Sequence, residues 1–385
     1  MPSFYEFFAG GGMARTGLGE QWECLFANDN DAKKAASYAA NWGGGHLKIA
    51  DVGALTAADL PGRADLAWAS FPCQDLSLAG AQAGLRGRRS GTVWPFWRLI
   101  RALAAETRAP SIVVLENVCG ALTSHGGEDF AAIAAALADG GYRFGALVMD
   151  AVRFLPQSRP RLFIVGVRWN LTIPEFLVLN GPDPLWHPSR LAGAYERLSR
   201  PSKAAWVWWK LPESPPRTSA LSELIEDQPR GVAWHNAAET RRLLSLMSPL
   251  HWRKVELAKT AGRRMFGAIY KRTRRDESGN SVQRAEIRFD GISGCLRTPV
   301  GGSSRQSILV VEGSQVRSRL LSPREAARLM GLPDSYKLPK NYNEAYHLAG
   351  DGVVVPVVRF LAEQLLEPLL SGPSIMQVCP PSGSS

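Results

Sequence analysis

The chain has 385 residues, 45% of them hydrophobic and 21% charged, the composition of an ordinary globular protein long enough for two domains. It holds no run of about 18 apolar residues that would span a membrane, and its start, MPSFYEFFAGGG, lacks the basic-then-apolar order of a secretory signal. The net charge is +10, and residues 241–275 alone hold eight Arg, three Lys and one Glu; so concentrated a positive charge suits a polyanion partner, the plain alternative being a solvated basic face. Five scattered cysteines (Cys24, Cys73, Cys119, Cys295, Cys379) without a CxxC pair argue against a disulfide framework or a zinc site and for a reducing compartment.

In chain order, apolar runs of strand length at 3–8, 23–27, 64–70, 111–115 and 161–168 alternate with helical patterns at 31–41, 92–106 and 128–139. This alternation predicts a doubly wound α/β sheet with its site at the carboxyl ends of the strands. Near Asn170 the pattern breaks. Residues 171 to about 315 are rich in proline and hold half of the twelve tryptophans, read as a small core in a second, irregular domain. Order returns at Ser322-Pro323-Arg324-Glu325, a capping box that opens a helix ending at Gly331. A helix is expected over 353–370 and a disordered tail over 372–385.

Four stretches carry chemistry. In EFFAGGGMARTGLG (6–19) a strand runs into Phe8-Ala9-Gly10-Gly11-Gly12 and then a helix, which lets a ligand approach the backbone. Asp29 ends the next strand, where an acid can hold ribose hydroxyls, and Asp51 lies in a third loop within reach of an adenine amine. Any adenosyl ligand suits this set. Cys73 follows Pro72 where the chain leaves a buried strand, a place for a thiolate nucleophile rather than a core thiol. The apolar strand IVVLENVCG delivers Glu116 and Asn117, and burial there makes a carboxyl a proton donor near neutral pH. PQSRPRLFIVGV puts Arg159 and Arg161 on one face of a strand, able to hold phosphates or a carbonyl oxygen. Each has a structural alternative: a tight turn, a packed cysteine, a capping Glu, a surface Arg pair.

Taken together and in order, the set resembles the cytosine-C5 DNA methyltransferases of prokaryotic type. FAGGG matches the cofactor motif, FPCQ the nucleophile motif, ENV the glutamate motif and QSRPR the QxRxR motif. RLLSPREAARLMGLPDSY and AGDGVVVPVV look like the last two motifs, the match covering residues 4–169 and 317–371. The resemblance implies a Rossmann-like S-adenosylmethionine-dependent methyltransferase sheet over 1–172, a smaller target-recognition domain over 173–316 and a return segment over 317–371. It implies Cys73 as nucleophile, Glu116 at the ring nitrogen and Arg161 at the base carbonyl, with Arg159 supporting. Cofactor contacts fall to Phe8, Gly10, Gly12, Asp29, Asp51, Pro72, Asp351 and Val353; the family has Gly-Asn where this chain has Gly350-Asp351. Contacts to double-stranded DNA fall to Gln74 and Ser77 and to Arg88 and Arg89 of a closing loop; Arg297 and Arg305 flank Gly301-Gly302 in CLRTPVGGSSRQS, either a loop entering a groove with Arg reading guanine or a surface hairpin on phosphate.

The implied protein is a cytoplasmic, nucleoid-associated prokaryotic monomer with a cognate restriction endonuclease as possible partner; the abundance of Arg over Lys hints at a GC-rich genome. Three alternatives share parts of the pattern. A tRNA-directed relative would carry a Cys-Phe-Thr element, which the sequence lacks. A nucleotide-dependent oxidoreductase leaves Cys73, Glu116 and the arginine pair unexplained. A catalytically inactive DNA-binding relative would not need the full motif set found here.

Overall fold

Every residue of β1 (Ser3–Phe7) is buried, as a central strand covered by helices on both faces requires. The computed structural model describes residues 1–72, 92–275, 278–297 and 305–371. The other strands of the main sheet are β2 (Glu23–Asp29), β3 (Leu47–Ile49), β4 (Leu66–Ser70), β5 (Ile112–Val118), β6 (Tyr142–Asp150) and β7 (Pro160–Arg168). Their order is β3-β2-β1-β4-β5-β7-β6. β7 runs antiparallel to both β5 and β6, and the other pairings are parallel. The chain winds outward from β1 in one direction, then from β4 in the other. The carboxyl ends of β1 and β4 are thus the switch point where such sheets bind ligands.

The expected α/β sheet is present, with β3 and β6 in addition to the strands read from the sequence. Gly145 interrupts β6, a residue that weakens a strand pattern. Its cause is tertiary: a Cβ at Gly145 would lie 1.9 Å from the Val207 carbonyl oxygen.

The tryptophan-rich segment does not form a core of its own, contrary to the sequence reading. β8 (Val178–Leu179) pairs with β9 (Trp208–Trp209), and Trp186 and Trp209 are fully buried in the same apolar cluster as β4, β5 and β7. Trp206 packs edge-on against Phe144 of β6, ring centroids 5.4 Å apart. The second unit is also more regular than expected. β10 (Met265–Arg275), β11 (Ser281–Arg288), β12 (Ser307–Glu312) and β13 (Gln315–Leu320) form an antiparallel sheet in the order β11-β10-β12-β13. Helices Ala237–Ser245 and Pro249–Lys259 close a separate small core over it, with Leu243, Val255, Ile269, Ile287 and Val311 inside.

From Pro323 the chain returns to the main sheet. The capping box is formed: Ser322 Oγ accepts from Glu325 N at 3.1 Å and Glu325 Oε2 from Ser322 N at 2.7 Å. The expected C-terminal helix runs Val355–Leu361, passes through a π-helical turn at Ala362–Leu366 and ends with Glu367–Ser371. It docks through Glu367, which accepts from Trp22 Nε1 at 2.9 Å. Among the described residues no helix is long and apolar enough to cross a membrane.

Candidate functional site

At the switch point lies a cleft of about 350 Å³ lined by Phe8, Gly10, Asp29, Pro72, Glu116, Arg161 and Val353, among others. β1 ends in a sharp turn there. Phe8 has φ 56°, a left-handed conformation that costs a non-glycine residue about 1–3 kcal/mol and is characteristic of functional turns. Gly10 has φ +55° with no atom within 4 Å of where its Cβ would stand, so the backbone angle, not crowding, calls for glycine. Asp29 bridges the two strand ends, its Oδ2 accepting from Gly10 N and its Oδ1 from Asp31 N, both at 2.8 Å. Across the mouth, Lys34 Nζ meets Asp351 Oδ2 at 2.7 Å. The last-motif Asp is thus paired with a lysine that the sequence reading did not single out.

Two of the expected cofactor residues are placed elsewhere. Asp51 is exposed and lies outside the cleft lining; its Oδ1 accepts from Gly53 N at 2.7 Å, capping a short helical turn. Gly12 also lies outside the lining, and a Cβ on it would meet the Trp42 ring at 2.6 Å. Glu6 lines the cleft but was not anticipated. It is 1% exposed, Oε1 accepts from Arg15 N at 3.3 Å and Oε2 has no hydrogen-bond partner. Burial pushes its carboxyl up to about 8.

Deeper in the cleft, β5 delivers Glu116 and Asn117, 6% and 5% exposed. Because β5 pairs with β7 so that Val118 lies opposite Arg161, the arginine reaches back along the sheet and Nε stands 3.2 Å from Glu116 Oε1. Burial raises the Glu116 carboxyl above its ordinary range, while Arg161, Arg159 and a hydrogen bond with Ser70 restrain the rise. Asn117 Nδ2 donates to the Phe71 carbonyl at 3.1 Å, fixing the backbone immediately before Pro72 and Cys73.

Arg159 is 2% exposed and acts as a hub. Its Nη2 donates to Gly350 O at 2.8 Å and Gly352 O at 2.7 Å, and its Nη1 to Leu296 O at 2.9 Å. It thereby joins the last-motif loop, the second unit and the base of the cleft. Gln157 completes the joint, donating to Leu329 O at 2.6 Å and accepting from Leu296 N at 3.2 Å. Its partners are 139 and 172 residues away along the chain, beyond the reach of a local pattern.

Beside the cleft, a cavity of about 550 Å³ is lined by Lys271, Arg272, Arg274, Arg288 and Arg297 together with Tyr270, Cys295 and Tyr346. It is the part of the basic segment that faces the site. Arg297 is exposed. Arg305 is held over the Tyr342 ring at 5.3 Å and bonds Asn343 Oδ1, packed on the return segment. Cys73, Gln74, Ser77, Arg88 and Arg89 lie outside the described residues.

A doubly wound sheet of this order, with a glycine turn after β1, an acid at the end of β2 and a buried Glu–Arg pair at the end of β5, has the layout of an α/β methyltransferase. Comparison with known proteins gives the family. The model of the C-5 cytosine-specific DNA methylases matches residues 3–367, and the chain belongs to that family. Curated relatives include the type II methyltransferases M.NlaX of Neisseria lactamica (27% identical, covering 95% of this chain and 96% of that one) and M.HhaI of Haemophilus parahaemolyticus (24%, 93% and 92%). M.BsuFI of Bacillus subtilis is 25% identical over 96% of this chain and 73% of its own length. The Schizosaccharomyces pombe Dnmt2 structure shares the fold at TM-score 0.58, 18% identity and coverage of 96% of this chain and 99% of that one. The protein is an enzyme, a DNA cytosine-5 methyltransferase.

Proposed function

We propose that the enzyme extrudes a cytosine from double-stranded DNA, adds Cys73 to carbon 6 and methylates carbon 5 with S-adenosylmethionine as donor. The observation that carries this reading is the buried Glu116–Arg161 pair in the wall of the cleft that begins at the glycine turn. The donor fits the residues present. Phe8, Gly10, Asp29 and Val353 offer a surface for an adenosyl group, and the unpartnered buried Glu6 Oε2 leaves a hydrogen-bonding group on the same lining. When bound, S-adenosylmethionine supplies an electrophilic methyl group on a sulfonium.

The chain's own residues do the rest. Cys73, as thiolate, forms a bond to carbon 6, and electron density moves toward carbon 5. Glu116, whose carboxyl burial raises against the pull of Arg161 and Arg159, hydrogen-bonds or protonates ring nitrogen 3 as the adduct forms. Arg161 holds the ring carbonyl oxygen, and Asn117 ties down the backbone at Phe71, two residues before Cys73 in the chain. Once carbon 5 carries the methyl group, loss of its proton expels the thiolate. Flipping the base costs a few kcal/mol, offset by these contacts and by the basic groove on phosphates. The enzyme acts in the cytoplasm as a monomer, with a cognate endonuclease as its partner in a restriction-modification pair.

Transfer of labelled methyl groups to duplex DNA in preference to tRNA is the expected result, with bisulfite sequencing giving the target site. A Cys73→Ala enzyme that still methylated, or a wild type that labelled tRNA and left DNA untouched, would overturn the reading.

A further inference from the structure

The arginine pair of the base pocket is short of negative charge. Arg161 has Glu116 at 3.2 Å. Arg159 bonds carbonyl oxygens, and among the described residues no carboxylate is in ion-pair contact with it. Two guanidiniums drawn out of water against one carboxyl group, itself inclined to stay protonated, need a further anion. A group of the right kind enters from the second unit. Cys295 Sγ lies 3.2 Å from Arg159 Nη1 and 4.0 Å from Arg161 Nη2. It is fixed there by its neighbour Leu296, whose N–H donates to Gln157 and whose carbonyl accepts from Arg159. Ser293 adds a third tie, its N–H donating to Pro156 O at 2.7 Å.

We propose that Cys295 is a positioning residue of the base pocket: its sulfur, seated between Arg159 and Arg161 and drawn toward the thiolate by them, takes up part of their charge and leaves Glu116 free to keep a proton for the base. This rests on the cytosine reading above. Burial opposes a thiolate, but Arg159 and Arg161, helped by Arg297, outweigh it and hold the thiol below its ordinary range. Tyr270 of β10 and Tyr346 of the helix Tyr342–Asp351 are the other titratable groups facing it. Both are pushed upward by burial and stay neutral near pH 7, so they do not compete for the arginines. Cys119 also faces Arg161, but burial raises its thiol, which stays protonated.

The sign of the effect follows. With the sulfur neutralised, both arginines act undiluted on Glu116 and its carboxyl gives up its proton at lower pH. A step that needs protonated Glu116 then fails earlier as pH rises. Cys295→Ser should move the alkaline limb of the kcat–pH profile downward by about half to one unit, and Cys295→Asp, which restores an anion, should return it. A Ser profile superimposed on the wild type, or an Asp variant displaced as far as Ser, overturns the proposal. Folding failure in either variant is bypassed in the unmodified enzyme. Iodoacetamide alkylation of Cys295, followed against pH by peptide mass, should show an inflection clearly below about 8.5, the value of a free thiol; an inflection at or above it also overturns the proposal. Failure to methylate DNA would sink the cytosine reading, whereas the alkylation curve judges the charge on Cys295 independently of activity.

Discussion

Of the three buried carboxyls that line the cleft, Glu6, Asp29 and Glu116, the two glutamates are set to different ends. Glu116 stands against Arg161 at 3.2 Å; burial raises its carboxyl while that cation restrains the rise, the direction a proton donor requires. Glu116→Gln keeps the shape and removes the proton; kcat should fall by about 10²–10⁴ with the KM for DNA little changed, measured by steady-state methyl transfer. An equal loss in both constants would move Glu116 from chemistry to binding. At Glu6 burial outweighs the backbone hydrogen bond and the charge of Arg15 and carries the carboxyl to about 8. Unfolded, it titrates near 4.3. Between those values the native state holds a proton the unfolded state lacks, so stability is full below about 4.3 and falls by up to about 1.4 kcal/mol per pH unit as pH rises toward 8. Glu6→Gln removes that slope. Urea denaturation of both forms at pH 5.5, 6.5 and 7.5 should show the wild type losing ground to the variant; a constant difference would mean that Glu6 folds ionised.

At the scale of elements, what could be read in the sequence followed range. β1, β2, β4, β5 and β7 and the helices Ala32–Trp42, Val93–Ala105 and Glu128–Asp139 carry their own periodicity and were anticipated within a few residues. The motifs at their ends, Phe8 to Gly10, Asp29, Pro72 and Glu116, meet in one cleft because the winding of the sheet brings those ends together. What was not legible depends on partners far along the chain. Cys295 gains meaning from Arg159, 136 residues away. Asp51 shows a loop acid and nothing of the turn it caps. The tryptophans mark a core without saying whose; Trp186 and Trp209 proved to belong to the main sheet, whereas Trp252 is exposed on the helix Pro249–Lys259. β6 was hidden by Gly145, which exists for the Val207 carbonyl passing 1.9 Å from its missing Cβ. Since backbone faces backbone there, Gly145→Ala should destabilise by about 3 kcal/mol, the upper end of overpacking costs, read from the urea midpoint at unchanged m. A neutral variant would mean that β9 and the segment before it do not press on β6.

Over the whole molecule, charge and topology converge on one side. The distal half of the β10–β11 ribbon projects exposed Arg272, Arg274 and Arg275 away from the small core. Lys271, Arg272, Arg274, Arg288 and Arg297 line one cavity beside the base pocket. Glu286 pairs with Arg272 and Arg274, and Asp290 with Arg288, so part of this charge is already neutralised within the protein. Arg297 is exposed and two residues from Cys295, and on the proposed function it would face the duplex beside the extruded base. If it meets a phosphate, its loss removes one released counterion. The plot of log K against log salt for DNA binding should then flatten by about 0.9 in Arg297→Ala, with affinity falling alike on target and random duplexes. If Arg297 instead reads a base edge, the salt slope stays as in the wild type and the target alone loses about 1–3 kcal/mol. Binding isotherms on both duplexes across salt separate the two outcomes. An unchanged slope with unchanged affinity on both would remove Arg297 from the interface and shift the weight of DNA binding onto the ribbon.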